Sequence, residues 1–182
     1  PSPTQTLMKV EFLNSSDTVL ATHPLNLPKN RLLEEWQEHV LTTPAAPTGT
    51  VKARVSVVAT DMVESALPGP GQDVWLDNFS LFQNGAFGGE KLVTLGDGSF
   101  SGNLNAVGVP TGFSVVKTPQ DNLQFSTASY ANRTDVAGPV GMWLRSFLGG
   151  DVTISQTVAG TPGADYSYSA YAKLQPGYIG LD

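Results

Sequence analysis

Val74-Trp75-Leu76-Asp77-Asn78-Phe79-Ser80-Leu81-Phe82 sets apolar and polar residues in alternation on both sides of a single acidic residue. A period of two is the pattern of a strand with one face buried and the other turned to water. Residues 83–182 follow this stretch, so it sits before the midpoint of the 182-residue chain.

The same pattern recurs upstream. Leu7-Met8-Lys9-Val10-Glu11-Phe12-Leu13 reads as a strand, Asn14-Ser15-Ser16-Asp17 as a hairpin turn and Thr18-Val19-Leu20-Ala21 as the partner strand. Asn, Ser and Asp favour such turns because their side chains bond back to nearby backbone amides. In Val51 to Val57, Val51, Ala53, Val55 and Val57 share one face, and Lys52, Arg54 and Ser56 the other. His23 to Asn30, Pro44 to Thr50 and Glu64 to Gln72 carry proline and glycine and read as loops. Arg31 to His39 is the one stretch with helical character, short for a helix standing alone.

Downstream, Gln83 to Glu90 has linker composition, and a linker over 83–95 separates residues 5–82 from 96–182. Further strands are expected at Phe113 to Lys117, Leu123 to Phe125, Gly141 to Phe147, Val152 to Val158 and Tyr166 to Lys173.

Composition agrees with an all-β chain. Glycine (19) and proline (13) are plentiful and only 14% of residues are charged, a balance that suits short strands joined by tight turns. The formal net charge of −6 leaves no basic stripe to displace the counterions of a nucleic acid. No run approaches the roughly 18–20 apolar residues of a membrane helix. The absence of cysteine excludes disulfides and thiolate metal sites and suits an exported bacterial protein. The opening residues show no basic and apolar signal, which a mature secreted protein would have lost. Asn14-Ser15-Ser16 and Asn132-Arg133-Thr134 are sequons, relevant only in a eukaryotic host.

Several stretches resemble the jelly-roll carbohydrate-binding modules of families 4, 9, 16 and 22. The Asp77 strand looks like their closing strand, and Leu7 to Ala21 like an internal hairpin of the module. Leu95-Gly96-Asp97-Gly98-Ser99-Phe100-Ser101-Gly102-Asn103 is similar to the "NG.FE.G" opening, and Pro110 to Phe113 to the turn after it. Val152 to Val158 with Gly163 to Ser169 follows the "v.Q.v.g..G..Y.fsa" element at nearly every fixed position. The resemblance also implies that Trp36 to Thr42 is a strand.

The matching elements stand in rearranged order. Residues 96–182 look like the first half of one module and residues 5–82 like its second half. The resemblance therefore implies a single β-sandwich jelly roll over 1–182 in circularly permuted order, engineered or cut from tandem modules at mid-domain. Two separate half-size units would each expose long unpaired strand edges.

Function follows from the same resemblance: non-catalytic binding of polysaccharide or oligosaccharide, in a secreted monomer or one module of a larger protein. Sugars need flat aromatic faces and planar polar groups. The candidates are Trp143, Arg145, Tyr171, Tyr178, Trp36, Tyr130 and Lys173, with Gln37, Glu38 and Arg54 as further polar partners. In Tyr166 to Lys173 the alternation puts Tyr171 and Lys173 opposite Tyr166, Tyr168, Ala170 and Ala172, hence outward if the apolar face is core. In Gly141 to Phe147, Trp143, Arg145 and Phe147 share a face. Trp75 is assigned to the core or its margin.

The resemblance further implies a structural calcium held by Asp77, with Asp97 from the opening segment, although Ser101 stands where the modules carry glutamate. Glu34, Glu35 and Glu38 are carboxylates on one segment, unsuited to hydrolysis across a cleft, and read as a solvated face. His23 and His39 lack triad-like or metal-like neighbours. The alternatives are a structural or protein-interaction sandwich and a jelly-roll lyase or hydrolase. The Tyr171 to Tyr178 stretch is two residues too long for the lyase element.

Overall fold

The computed structural model describes residues 5–27, 36–62, 72–83, 91–93, 95, 109–118, 123–128, 141–146 and 150–174. Among them every regular element is a strand. These are β1 (Gln5–Leu13), β2 (Val19–Asn26), β3 (Gln37–Thr42), β4 (Lys52–Met62), β5 (Gln72–Gln83) and β6 (Lys91–Val93), followed by β7 (Ser114–Thr118), β8 (Leu123–Ala128), β9 (Gly141–Ser146), β10 (Gly150–Ala159) and β11 (Tyr166–Leu174).

The strands form two antiparallel sheets. The first has the order β2-β1-β4-β10-β7, and the second β3-β11-β5-β9-β8, with β6 pairing β5 beside β9. Strands from the two parts of the chain interleave. β10 pairs β4 in the first sheet, and β11 lies between β3 and β5 in the second. Residues 5–83 alone would leave β3 and β5 with no strand between them.

Alternation in each strand decides what is buried. Met8, Val10 and Phe12 of β1 line up with Val57, Val55 and Ala53 of β4, and these with Ile154 and Val158 of β10. From the second sheet come Leu41, Val74, Leu76, Phe79, Leu81, Met142, Tyr166, Tyr168, Ala170 and Ala172, and both sets belong to one core cluster. Phe12 of the first sheet meets Tyr166 of the second with ring centroids 5.4 Å apart, so the two sheets face one another across this core as a β-sandwich does.

Turn chemistry closes the first hairpin as the sequence leads one to expect. Asn14 Oδ1 accepts bonds from the amides of Ser16 (2.9 Å) and Thr18 (3.0 Å), and Asp17 takes a left-handed φ of 60°. Three local readings need correction. Residues 23–26, read as loop, continue β2, where Pro24 is tolerated because β2 is an edge strand needing donors on one side only. Residues 37–39, helical in local character, belong to β3, the strand that the resemblance implied over Trp36 to Thr42, where pairing with β11 outweighs weak local propensity. Residues 91–93, read as linker, form β6 against Leu81–Gln83.

Candidate functional site

The site begins at an irregularity in β5. Val74 and Leu76 face the core, and so do Phe79 and Leu81, which breaks the period of two by one residue. The register shows the break: Tyr171 of β11 pairs Asp77 while Ser169 pairs Ser80, so Ala170 alone stands opposite Asn78 and Phe79. This is a bulge. Asn78 absorbs it with a φ of 49°, in the left-handed region that asparagine tolerates. The Asn78 amide donates to Asp77 Oδ1 at 2.7 Å.

The bulge lets Phe79 enter the core, where its ring centroid lies 5.6 Å from Phe113 and 5.8 Å from Tyr168. Trp75 and Asp77, on the other side of the bulge, keep to the face opposite Val74 and Leu76. Tyr171 and Lys173 share that face, being opposite in alternation to Ala170 and Ala172 of the core cluster. The sequence-based expectation for these two residues therefore agrees with their placement.

Register then aligns the tryptophans. Lys173 pairs Trp75, Trp75 pairs Trp143 and Trp143 pairs Ser126. Trp36 immediately precedes β3, one step beyond the Gln37–Ala172 pair and thus at the level of Lys173. All three tryptophans of the chain fall on one row across β3, β11, β5 and β9. With strands about 4.8 Å apart, the row is roughly 14 Å long. Glu38, Tyr171 and Asp77 form the adjacent row on one side, and Asp73, Arg145 and Gln124 that on the other.

Burial and charge distinguish parts of this face. Trp75 is only 9% exposed, with Lys173 Nζ 5.1 Å from its ring centroid, a cation held against an aromatic face. The Trp75 Nε1–H is buried and has no hydrogen-bond partner among the described residues. Asp77 is 3% exposed; Trp36, Tyr171 and Lys173 are half-buried and Glu38 is exposed.

The outward face of the first sheet differs in kind. Its described positions include Lys9, Glu11, Lys52, Arg54, Ser56, Thr153, Ser155 and Thr157, without an aromatic residue. Arg54 Nε donates to Glu11 Oε2 at 2.8 Å, with Lys9 Nζ 3.6 Å from Oε1. Arg54, expected among the sugar-binding groups, thus sits on the opposite sheet in an ion pair. Gln37 also departs from expectation, since it pairs Ala172 on the core side of β3.

The structure therefore gathers Trp36, Tyr171 and Lys173 on one face and puts Trp143 and Arg145 in register with it. Tyr130, Tyr178 and Asp97 lie outside the described residues, as do Glu34 and Glu35. Trp75, assigned from the sequence to the core or its margin, is buried but belongs to the outward face. The signal was present: Trp75 has the same parity as Asp77 and the opposite parity to Val74 and Leu76.

His23 packs edge-on against Phe12 at 5.7 Å. His39 sits with Leu41 on the inward side of β3, and burial lowers its pKa below the ordinary imidazole value. Asp77, expected to hold calcium, is a buried carboxylate, and among the described residues no group of three or more His, Cys, Asp or Glu that could hold a metal ion is found. No family model matches this chain, and neither curated proteins nor solved structures give a significant match.

Proposed function

We propose that this protein binds carbohydrate without transforming it, on the outward face of the second sheet. The observation that carries the reading is the single row holding Trp36, Trp75 and Trp143, with Lys173 in the same row and Tyr171 beside it. Tryptophans in one row across a sheet are the residue type that stacks on successive sugar rings, and carboxylates, amides and cations are partners for hydroxyls. The loose resemblance to jelly-roll carbohydrate-binding modules points the same way and supplies the permuted jelly-roll topology as part of the proposal. A protein of this kind is secreted and holds an extracellular enzyme or a cell surface near its polysaccharide.

Affinity electrophoresis in gels containing β-glucan, xylan, mannan or algal galactan tests the reading. Retardation by at least one polymer is expected, and Trp36→Ala with Trp143→Ala should abolish it while the circular-dichroism spectrum stays unchanged. Migration unaffected by every polymer overturns the proposal. Release of reducing sugar or unsaturated product overturns its non-catalytic part.

The same reading includes a structural calcium at Asp77, supported by a carboxylate 3% exposed at a strand bulge. Calcium should raise the melting temperature relative to EDTA, and Asp77→Asn should remove the difference. Identical melting in calcium and EDTA counts against the ion.

A further inference from the structure

We infer that the Trp75–Lys173 part of this face is a subsite for the carboxylate of a uronic acid carried on an otherwise neutral polysaccharide. The inference rests on the carbohydrate-binding reading and narrows it. Its starting point is the Trp75 indole N–H, a donor that accepts nothing, buried and without a partner among the described residues, in a side chain 9% exposed. A buried donor left unpaired is destabilising, and native proteins keep few of them. The group beside it cannot satisfy it. Lys173 brings an ammonium 5.1 Å from the ring centroid, and an ammonium only donates.

The Lys173 ammonium over the Trp75 ring puts a cation next to this donor, in the row that holds the other tryptophans. What both lack is an acceptor, and the acceptor that suits both is an anionic oxygen. A carboxylate has two oxygens, one for Nε1–H and one for the Nζ of a re-aimed Lys173. A neutral sugar hydroxyl accepts from the indole but does not use the Lys173 charge. Lys173 lies over the indole on a flexible four-carbon stem, so a change of rotamer uncovers the ring and re-aims the ammonium.

Charge along the face fixes where the acid group goes and how many there are. The exposed carboxylate of Glu38 stands opposite Tyr171 in the neighbouring row, so a ligand carboxylate is repelled there and favoured at Lys173. The net charge of −6 opposes a polymer charged at every residue. A sparse uronic-acid substituent on a neutral chain meets both conditions.

The test compares glucuronoxylan and gum arabic, each against its own carboxyl-reduced form, by affinity electrophoresis at fixed ionic strength. At least one native polymer should bind about tenfold more tightly than its reduced form. Lys173→Met should remove that difference, and Trp75→Phe, which keeps the ring and loses the N–H, should diminish it. Circular dichroism and melting temperature confirm that both variants fold. Equal binding of native and reduced polymers overturns the subsite and leaves the carbohydrate-binding reading standing, as does a Lys173→Met variant that discriminates like the parent. Absence of retardation by these polymers and by every neutral glycan overturns both.

Discussion

Lys173 holds its ammonium 5.1 Å from the centre of the Trp75 ring, and the two residues are direct register partners across β11 and β5. The contact forms because both residues take the outward parity of their strands, β11 by plain alternation and β5 on the Trp75 side of the Asn78 bulge. Partly exposed cation–aromatic contacts contribute about 0.5–1 kcal/mol. Lys173→Met should therefore lower unfolding stability by less than about 1 kcal/mol in a urea titration, so any larger effect on glycan binding is not a folding effect.

Two buried tyrosines should respond in opposite directions to loss of the hydroxyl. Tyr166 OH accepts the Thr161 amide at 2.8 Å, so Tyr166→Phe should cost about 1 kcal/mol. Tyr168 OH is buried with no partner among the described residues, and burial raises its pKa well above the ordinary phenol value. Tyr168→Phe removes an unsatisfied polar group and should leave stability unchanged or raise it by up to about 1 kcal/mol. Chemical denaturation of the two variants side by side checks the pair.

Acidification should weaken the fold through His39. Burial depresses its folded-state pKa, so the native protein holds this imidazole neutral where the unfolded chain already binds a proton. Above about pH 6.5 both states are neutral and the residue adds no pH dependence. As pH falls below that value the unfolded state gains the proton first, and stability drops until the lower folded-state pKa is passed. His39→Gln should flatten this part of the stability–pH profile, and an unchanged slope between pH 7 and 5 would sink the assignment.

Gly160 tests the close approach at the end of β10. A methyl group there would sit 2.7 Å from the Lys52 carbonyl carbon and 3.0 Å from the Ala53 nitrogen, both backbone atoms. The Gly160 amide donates to the Val51 carbonyl at 2.9 Å, which holds the two segments together. Gly160→Ala should destabilise by about 1–3 kcal/mol, visible as a lower melting temperature. Gly163→Ala meets no atom within 4 Å and must instead bear a φ of 76°, so its cost is backbone strain alone, about 1 kcal/mol.

The all-β class and most of the strands are determined by sequence alone, because alternation and turn residues act within a few positions. Met8, Val10 and Phe12, Val55 and Val57, and Tyr166 and Tyr168 declare their inward parity without help from the rest of the chain. The outward placement of Tyr171 and Lys173 is legible for the same reason. What the tertiary structure decided is non-local. Only pairing across β3, β11, β5 and β9 sets Trp36, Trp75 and Trp143, dispersed through the chain, on one row. Arg54 is kept from the aromatic residues because β4 pairs into the other sheet, where Glu11, 43 residues distant in sequence, stands opposite it. The β5 stretch from Val74 to Phe82 shows both kinds of information. Its period of two marks a strand, while the bulge at Asn78, which sends Phe79 inward and leaves Trp75 and Asp77 outward, takes its meaning from the strand beside it.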